Sequence, residues 1–515
     1  MTASLTAAFD KKTRSGAGLV VALLVGLTVI RLIGLKLSVV DLFVDEAQYW
    51  AWSRHLALGY FSKPPLLAWI IAAAEHVCGS SEACVRSPSP IMYLATSLLI
   101  YAAACSLYDR RTAVWAALFC ALMPGAVFSA RIISTDVPLL LFWALALFAY
   151  VKLLADPRPR WGVLLGIALG LGLLAKYAMI YFLFGVALAA VLDSGARALL
   201  RTRALWLGAI VAVVLILPNV VWNLSHGLVT FRSVGDNVHN SGSGFDPWHL
   251  PEFLLSQFGV SGPITFAVLL LAIARMRSSA IPRADRLMLA FAIPPLALIA
   301  ATSLITHVNA NWAATSFISG IIVAVAIMER NGARALLVIS LAIGVVAQVA
   351  LIVGDAVATQ AGLPQGWGGD VYHRVLGWRA LGETAGRLAQ KTGAGTIVGE
   401  NRDVVAALLY YWRDQPQQVL QWRVEGPPQF ELAAEMTAAA AEPVLLITAC
   451  PSPERLMLYY ANVVPLGRID TPTGPTSQRS YVAFALSGRR GPLGPLAPCT
   501  GGNVPERLSQ PVDLH

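Results

Sequence analysis

Charge is what this sequence lacks most. Only 13% of its 515 residues are Asp, Glu, Lys or Arg, where a soluble chain carries about a quarter. That scarcity excludes an ordinary soluble enzyme. The net charge of +9 does not imply nucleic acid, because the basic residues are scattered through short connections and form no Lys/Arg patch. Cysteine is also rare, at six, and no Cys/His spacing suits a structural zinc site. A phosphate-cradling glycine loop is missing too: Gly393-Ala-Gly395 precedes a strand-like run instead of following one. No internal repeat is visible, which counts against an inverted-repeat transporter.

Long apolar stretches are present instead. About eleven can cross a bilayer: 17–40, 88–107, 113–130, 137–154, 161–175, 178–192, 204–222, 258–275, 287–305, 313–328 and 334–354. The first is longer than a signal-peptide core, lacks a small-residue cleavage site, and reads as a retained span. Lys11, Lys12 and Arg14, then Arg110 and Arg111, Arg158 and Arg160, Arg197 to Arg203, Arg275 to Arg286, and Arg330 with Arg334 fall in alternate connections. The positive-inside rule then puts the N-terminus in the cytoplasm and the C-terminus outside. The expected fold class is a polytopic α-helical membrane protein over 1–354, with a first outer loop at 41–87. A periplasmic α/β domain at 355–490 and a loose Pro/Gly-rich tail at 491–515 follow.

In the outer domain, strands are expected at 396–400, 417–422, 443–449, 463–469 and 480–487. Helices are expected at 402–413, 429–441 and 452–462, and 362–369 reads as a loop. Cys105 and Cys120 lie within spans as small apolar residues. Cys78 and Cys84 share the first outer loop, while Cys450 and Cys499 share the outer domain, so each pair is a candidate disulfide in an oxidising compartment.

The connections assigned to the outside gather the polar groups. Asp45 and Glu46 sit in Asp41-Leu-Phe-Val-Asp-Glu-Ala-Gln-Tyr-Trp-Ala-Trp-Ser-Arg, with Tyr60 and Lys63 in Gly59-Tyr-Phe-Ser-Lys-Pro-Pro-Leu. Asp45 is expected to cap a short helix with Gln48 closing a capping box, its aromatic residues lying at the membrane–water boundary. Arg131 and Asp136 follow in Arg131-Ile-Ile-Ser-Thr-Asp136, then Lys176-Tyr177, then His307-Val-Asn-Ala-Asn311-Trp. Each has a bland alternative. Asp136 is equally a helix cap, Lys176 and Arg131 could snorkel to the interface, and His307 could belong to a self-packed loop.

The Asp-Glu pair after the first span, the Lys-Pro-Pro element, Thr135-Asp136 and the His307…Asn311-Trp312 loop resemble bacterial membrane glycosyltransferases of the GT-C fold. The likeness is to the protein-mannosyltransferase-like superfamily, with its lipid A aminoarabinose transferases and lipopolysaccharide galacturonosyltransferases. It implies transfer of a sugar from a polyprenyl-phosphate carrier to a lipid A, lipopolysaccharide or other surface-glycan acceptor, on the periplasmic face of the bacterial inner membrane. The implied partners are that donor, the lipid or glycan acceptor and membrane lipids, with no nucleic acid.

By the same likeness Asp45 matches a catalytic carboxylate with Glu46 beside it, Asp136 a second outer acid, and Lys63 a donor-phosphate contact. Topology adds Lys176 and Arg131 to the phosphate, and Tyr60, Tyr177, His307 and Asn311 to donor or acceptor. A phosphate leaving group needs no general acid, and direct displacement inverts the anomeric carbon. The resemblance fixes no cofactor. A divalent cation is the one candidate, with His307 and Asp136 as ligands, although Ser62 stands where the aminoarabinose transferases carry a carboxylate before the lysine. The rival readings are a protein O-mannosyltransferase-like enzyme, a transporter or lipid flippase, and a non-catalytic assembly subunit.

Overall fold

The computed structural model describes residues 2–239, 244–278, 281–360, 372–425, 434–437, 439–474, 477–499 and 505–513, and gives no side-chain description for 2–17, 234 and 236–239. Chain contacts divide it into two compact units, 1–36 with 57–352 and 37–56 with 353–515.

The first unit is helical. Among the described residues, six helices are long and apolar enough to cross a bilayer, and the shorter apolar helices are Leu66–Cys78, Pro159–Ala175, Tyr177–Leu192 and Pro263–Ala274. The single span expected at 113–130 is instead Arg110–Leu122 followed by Pro124–Ser129. The break falls at Met123, since Pro124 has no N–H to continue the ladder and starts a new helix well. Lipid gives apolar surfaces little reason to associate, so helices meet where small residues allow close packing. Ala103, Ala104, Ala113, Ala116, Ala144, Ala146 and Ala149 line the buried interior accordingly.

Packing is tightest between Pro159–Ala175 and Arg203–Ser225. A Cβ on Gly162 would collide with the Ala204 carbonyl, and one on Gly166 with that of Gly208. Gly166→Leu is therefore expected to abolish monodisperse protein in detergent size-exclusion chromatography. Gly259→Ala, whose Cβ meets nothing within 4 Å, should elute normally. Arg31, buried in the first span, donates from Nε to Gln348 Oε1 at 2.7 Å and from a terminal nitrogen to the Ala121 carbonyl at 2.5 Å. These bonds satisfy a charge that would otherwise be costly in hydrocarbon. The Cys78–Cys84 disulfide is formed in this unit, with Cα atoms 5.7 Å apart.

The second unit contains a five-stranded sheet: β1 Thr396–Gly399, β2 Gln418–Gln421, β3 Val444–Thr448, β4 Tyr460–Pro472 and β5 Gln478–Arg489. The order is β2-β1-β3-β5-β4. β1 is parallel to both neighbours, while β5 is antiparallel to β3 and β4. β1 and β3 are buried along their whole length, which is why they read as unbroken apolar runs. The helix Arg402–Tyr411 links β1 to β2. The amphipathic Trp378–Thr392, which is not among the expected elements, ends on Gly393 with φ of 63°.

Other expectations need correction. Residues 434–437 and 439–441 are not helical, and the rest of 429–441 lies outside the described residues, as does the loop expected at 362–369. The helix expected at 452–462 shrinks to Glu454–Met457, and β4 starts at Tyr460. The tail at 491–515 is anchored wherever it is described. Leu496 and Leu508 are buried, the Arg468 N–H donates to the Gln510 carbonyl, and the Val512 N–H donates to that of Arg468. Cys499 is bonded to Cys450.

Residues 37–56 join this unit through specific contacts. Val39 N–H donates to the Asp355 carbonyl at 3.1 Å, and Val40 packs with Ala358, Tyr372 and Leu376. Asp41 Oδ2 accepts the N–H groups of Trp378 and Arg379 at 2.9 and 3.2 Å. It thus satisfies the opening turn of Trp378–Thr392 from a distant stretch of chain, where a side-chain acceptor is worth about 1 kcal/mol.

Candidate functional site

The acidic helix is Val44–Ser53, two residues earlier than expected, with Phe43 at the N-cap. The expected capping role of Asp45 is therefore corrected. Glu46 closes the helix start instead, since its Oε2 accepts the Phe43 N–H at 2.9 Å and its side chain is buried. Tyr49, Trp50 and Trp52 are buried as well, not set at a water boundary. Trp50 meets Tyr410 edge to face at 5.0 Å, and Leu42 N–H donates to the Tyr411 hydroxyl at 2.8 Å, which seats this helix on Arg402–Tyr411. Asp45 remains 40% exposed, with Oδ1 bonded to the Arg402 guanidinium. Arg402 Nε donates to Gln48 Oε1 at 2.7 Å.

The membrane unit carries a second cluster drawn from three separate segments. Asp136 opens the helix Asp136–Ala155 and is 8% exposed. Its Oδ1 accepts Lys176 Nζ at 2.7 Å, and its Oδ2 accepts Asn311 Nδ2 at 2.6 Å. Lys176 lies at the break between Pro159–Ala175 and the 3₁₀ turn Tyr177–Ile180, so its side chain leaves the helix end. One ammonium hydrogen points to Asp136 and two are available for other acceptors.

Beside Lys176 in sequence, Tyr177 stacks on Phe231 with centroids 4.8 Å apart. Its hydroxyl donates to Asn219 Oδ1 at 2.8 Å and accepts from Asn223 Nδ2 at 3.2 Å. Asn219 Nδ2 in turn donates to the Leu58 carbonyl at 2.6 Å, and Thr230 Oγ1 to the Tyr60 carbonyl at 2.7 Å. These bonds fix the 57–65 loop. Within it, Tyr60 N–H donates to the Lys63 carbonyl at 3.2 Å and the Tyr60 hydroxyl accepts the Ala57 N–H at 3.1 Å. Burial pushes the Tyr60 hydroxyl above its ordinary pKa, with that Ala57 bond opposing the shift. Lys63 is half-buried beside two buried prolines, and Arg131 lies over the Phe128 ring.

His307, proposed as a ligand with Asp136, falls in a three-residue group that does not include Asp136. The described His/Cys/Asp/Glu group compact enough for an ion is His249, Glu252 and His307, whose ligand atoms lie within 4.8 Å of one another. Two imidazoles and a carboxylate suit zinc-type chemistry. His249 Nδ1 is buried without a hydrogen-bond partner and its Nε2 lies 3.7 Å from Asp246, so the donors fit a cation. Sequence reasoning misses His249 and Glu252, although an i, i+3 His/Glu pair is a recognisable signal.

Residues 62–222 match the dolichyl-phosphate-mannose-protein mannosyltransferase family. The lipid A galacturonosyltransferase RgtD of Rhizobium johnstonii is 33% identical over 428 residues, which is 82% of this chain and 89% of that protein. The lipopolysaccharide core galacturonosyltransferase RgtA of the same organism is 33% identical over 243 residues, 46% of each chain. In fold, the chain is similar to ArnT from Cupriavidus metallidurans solved with undecaprenyl phosphate. The TM-score is 0.62 at 16% identity, over 90% of this chain and 97% of ArnT. With one relative matched over nearly its whole length and the fold in agreement, the chain belongs to the protein-mannosyltransferase-like family of GT-C membrane glycosyltransferases.

Proposed function

We propose that this enzyme transfers a galacturonosyl residue from a polyprenyl-phosphate carrier to lipid A or the lipopolysaccharide core, at the periplasmic face of the inner membrane and with inversion. The observation that carries this reading is the near-full-length likeness to a lipid A galacturonosyltransferase. The acceptor hydroxyl gives its proton to Asp45 as its oxygen attacks the anomeric carbon. The bond from that carbon to the phosphate oxygen breaks, and the carrier phosphate leaves with the electron pair. It departs as a stable anion, so Lys63, Lys176 and Arg131 need only meet the charge that develops. Asp136 and Asn311 hold Lys176 in place, while Tyr60 and Tyr177 belong to the wall fixed by Asn219 and Asn223. Glu46 is assigned to its capping bond and not to proton transfer.

Should a divalent cation take part, His249, Glu252 and His307 would hold it, and it would supply Lewis acidity toward a phosphate. The proposed topology keeps the N-terminus in the cytoplasm and the second unit in the periplasm, on the strength of the alternating basic connections.

The test uses the full chain in lipid nanodiscs with undecaprenyl-phosphate-linked galacturonic acid and lipid A. Mass spectrometry should detect one added uronic acid, and NMR an anomeric configuration opposite to the donor's. A product of retained configuration would overturn single displacement. Transfer to a serine- or threonine-containing peptide in place of lipid A would favour the protein-modifying relatives.

A further inference from the structure

The Asp45–Arg402 pair joins residues 357 positions apart within one compact unit. Arg402 is the first residue of Arg402–Tyr411, directly after the Asn401 N-cap. A cation there faces the positive end of the helix dipole, an unfavourable arrangement. Local helix energetics therefore do not account for an arginine at this place. The backbone beneath it is fixed, since Asn401 Oδ1 accepts the Ala449 N–H at 3.2 Å just beyond the end of β3. Gln48, one helical turn after Asp45, receives the Nε hydrogen, so the guanidinium is held by two side chains of one helix face.

The consequence lies in what this leaves of Asp45. Oδ1 is tied down, whereas Oδ2 has no partner within the unit among the described residues, and the side chain is 40% exposed. An aspartate carboxylate rotates freely unless one oxygen is fixed. Anchoring one oxygen aims the lone pairs of the other, which is what a base awaiting a hydroxyl proton requires. Stability alone is a weak reason for the pair, because partly exposed ion pairs contribute little.

We propose that Arg402, in the C-terminal portion of the chain, is a positioning residue for the reaction: it fixes the rotamer of Asp45, and Gln48 fixes Arg402. The proposal rests on the reading of Asp45 as the base. Lysine replaces the guanidinium poorly here, since a point charge cannot bridge Oδ1 and the Gln48 amide in the same planar fork.

Full-length protein in nanodiscs, with undecaprenyl-phosphate-linked galacturonic acid and lipid A as substrates, provides the test. Arg402→Ala should lower kcat about 10- to 100-fold, the scale of a misplaced reacting group. Its KM for the donor should stay within about twofold of the wild type, because an interaction made only in the transition state leaves ground-state binding alone. Thermal unfolding should be almost unchanged. Millimolar guanidinium should restore part of the lost rate in Arg402→Ala and none in Asp45→Asn, and Arg402→Lys should fall between Arg402→Ala and wild type. Wild-type kcat in Arg402→Ala, with Asp45→Asn inactive, overturns the positioning role and leaves Asp45 as base. A loss that appears equally in melting temperature and is indifferent to guanidinium also overturns it, as a purely structural tie behaves that way. Wild-type turnover in Asp45→Asn removes the base itself, a separate failure.

Discussion

Replacing Asp45 with Asn is expected to slow sugar transfer by about 10²- to 10⁴-fold, the usual contribution of a placed general base. The substitution is nearly isosteric. The amide oxygen can still accept from Arg402, Glu46 still caps the helix, and Trp50 and Tyr410 still hold the helix on its neighbour. Melting temperature and elution profile should therefore match the wild type, and donor KM should change little. The measurement is single-turnover transfer in nanodiscs, which separates chemistry from product release. Turnover near the wild-type rate would remove Asp45 from the reaction.

The second large effect is expected at Lys176. Removing one preorganised charge from the developing anion costs about 10²- to 10³-fold in kcat, so Lys176→Ala should fall in that range. The variant also strips Asp136 of its cation, and Asp136 is largely buried, which adds a folding penalty. The two consequences separate in a double variant. Lys176→Ala with Asp136→Asn removes the stranded charge and should recover melting temperature while kcat stays low. If activity returned along with stability, Lys176 would serve Asp136 alone and the phosphate assignment would fall. A double-mutant cycle on melting temperature reads the pair energy directly.

Parts of this molecule are legible in the sequence because their physics is local. β1, β3 and β5 read as short apolar runs between turn residues, and Lys176 and Asp136 stand out because they lie in connections opposite those that hold most of the basic residues. Other parts depend on partners far along the chain. Trp378–Thr392 is absent from the expected elements although Trp378, Leu381, Ala385, Leu388 and Ala389 recur at helical spacing, a pattern the sequence does carry; packing of Trp378, Leu381 and Leu388 against the sheet stabilises it. The helix at Val44 begins two residues early because Glu46, not Asp45, bonds the backbone ahead of it. No local pattern announces that Asp41 caps a helix 337 residues away, or that Arg402 meets Asp45. The expected eleven spans blur in the middle for a related reason, since Pro124 cuts an apolar run that hydropathy alone joins.

The second unit is assembled from two pieces of chain, residues 37–56 and the segment after 353, with most of the membrane unit threaded between them. Anyone building hybrids between relatives at a single junction near residue 355 would part Asp45 from Arg402 and Asp41 from Trp378. A working exchange needs both pieces taken from the same parent. By the same logic, substitutions accepted in one piece should depend on which parent supplied the other, so inheritance of specificity among these enzymes would follow the paired fragments and not the continuous hydrophobic block.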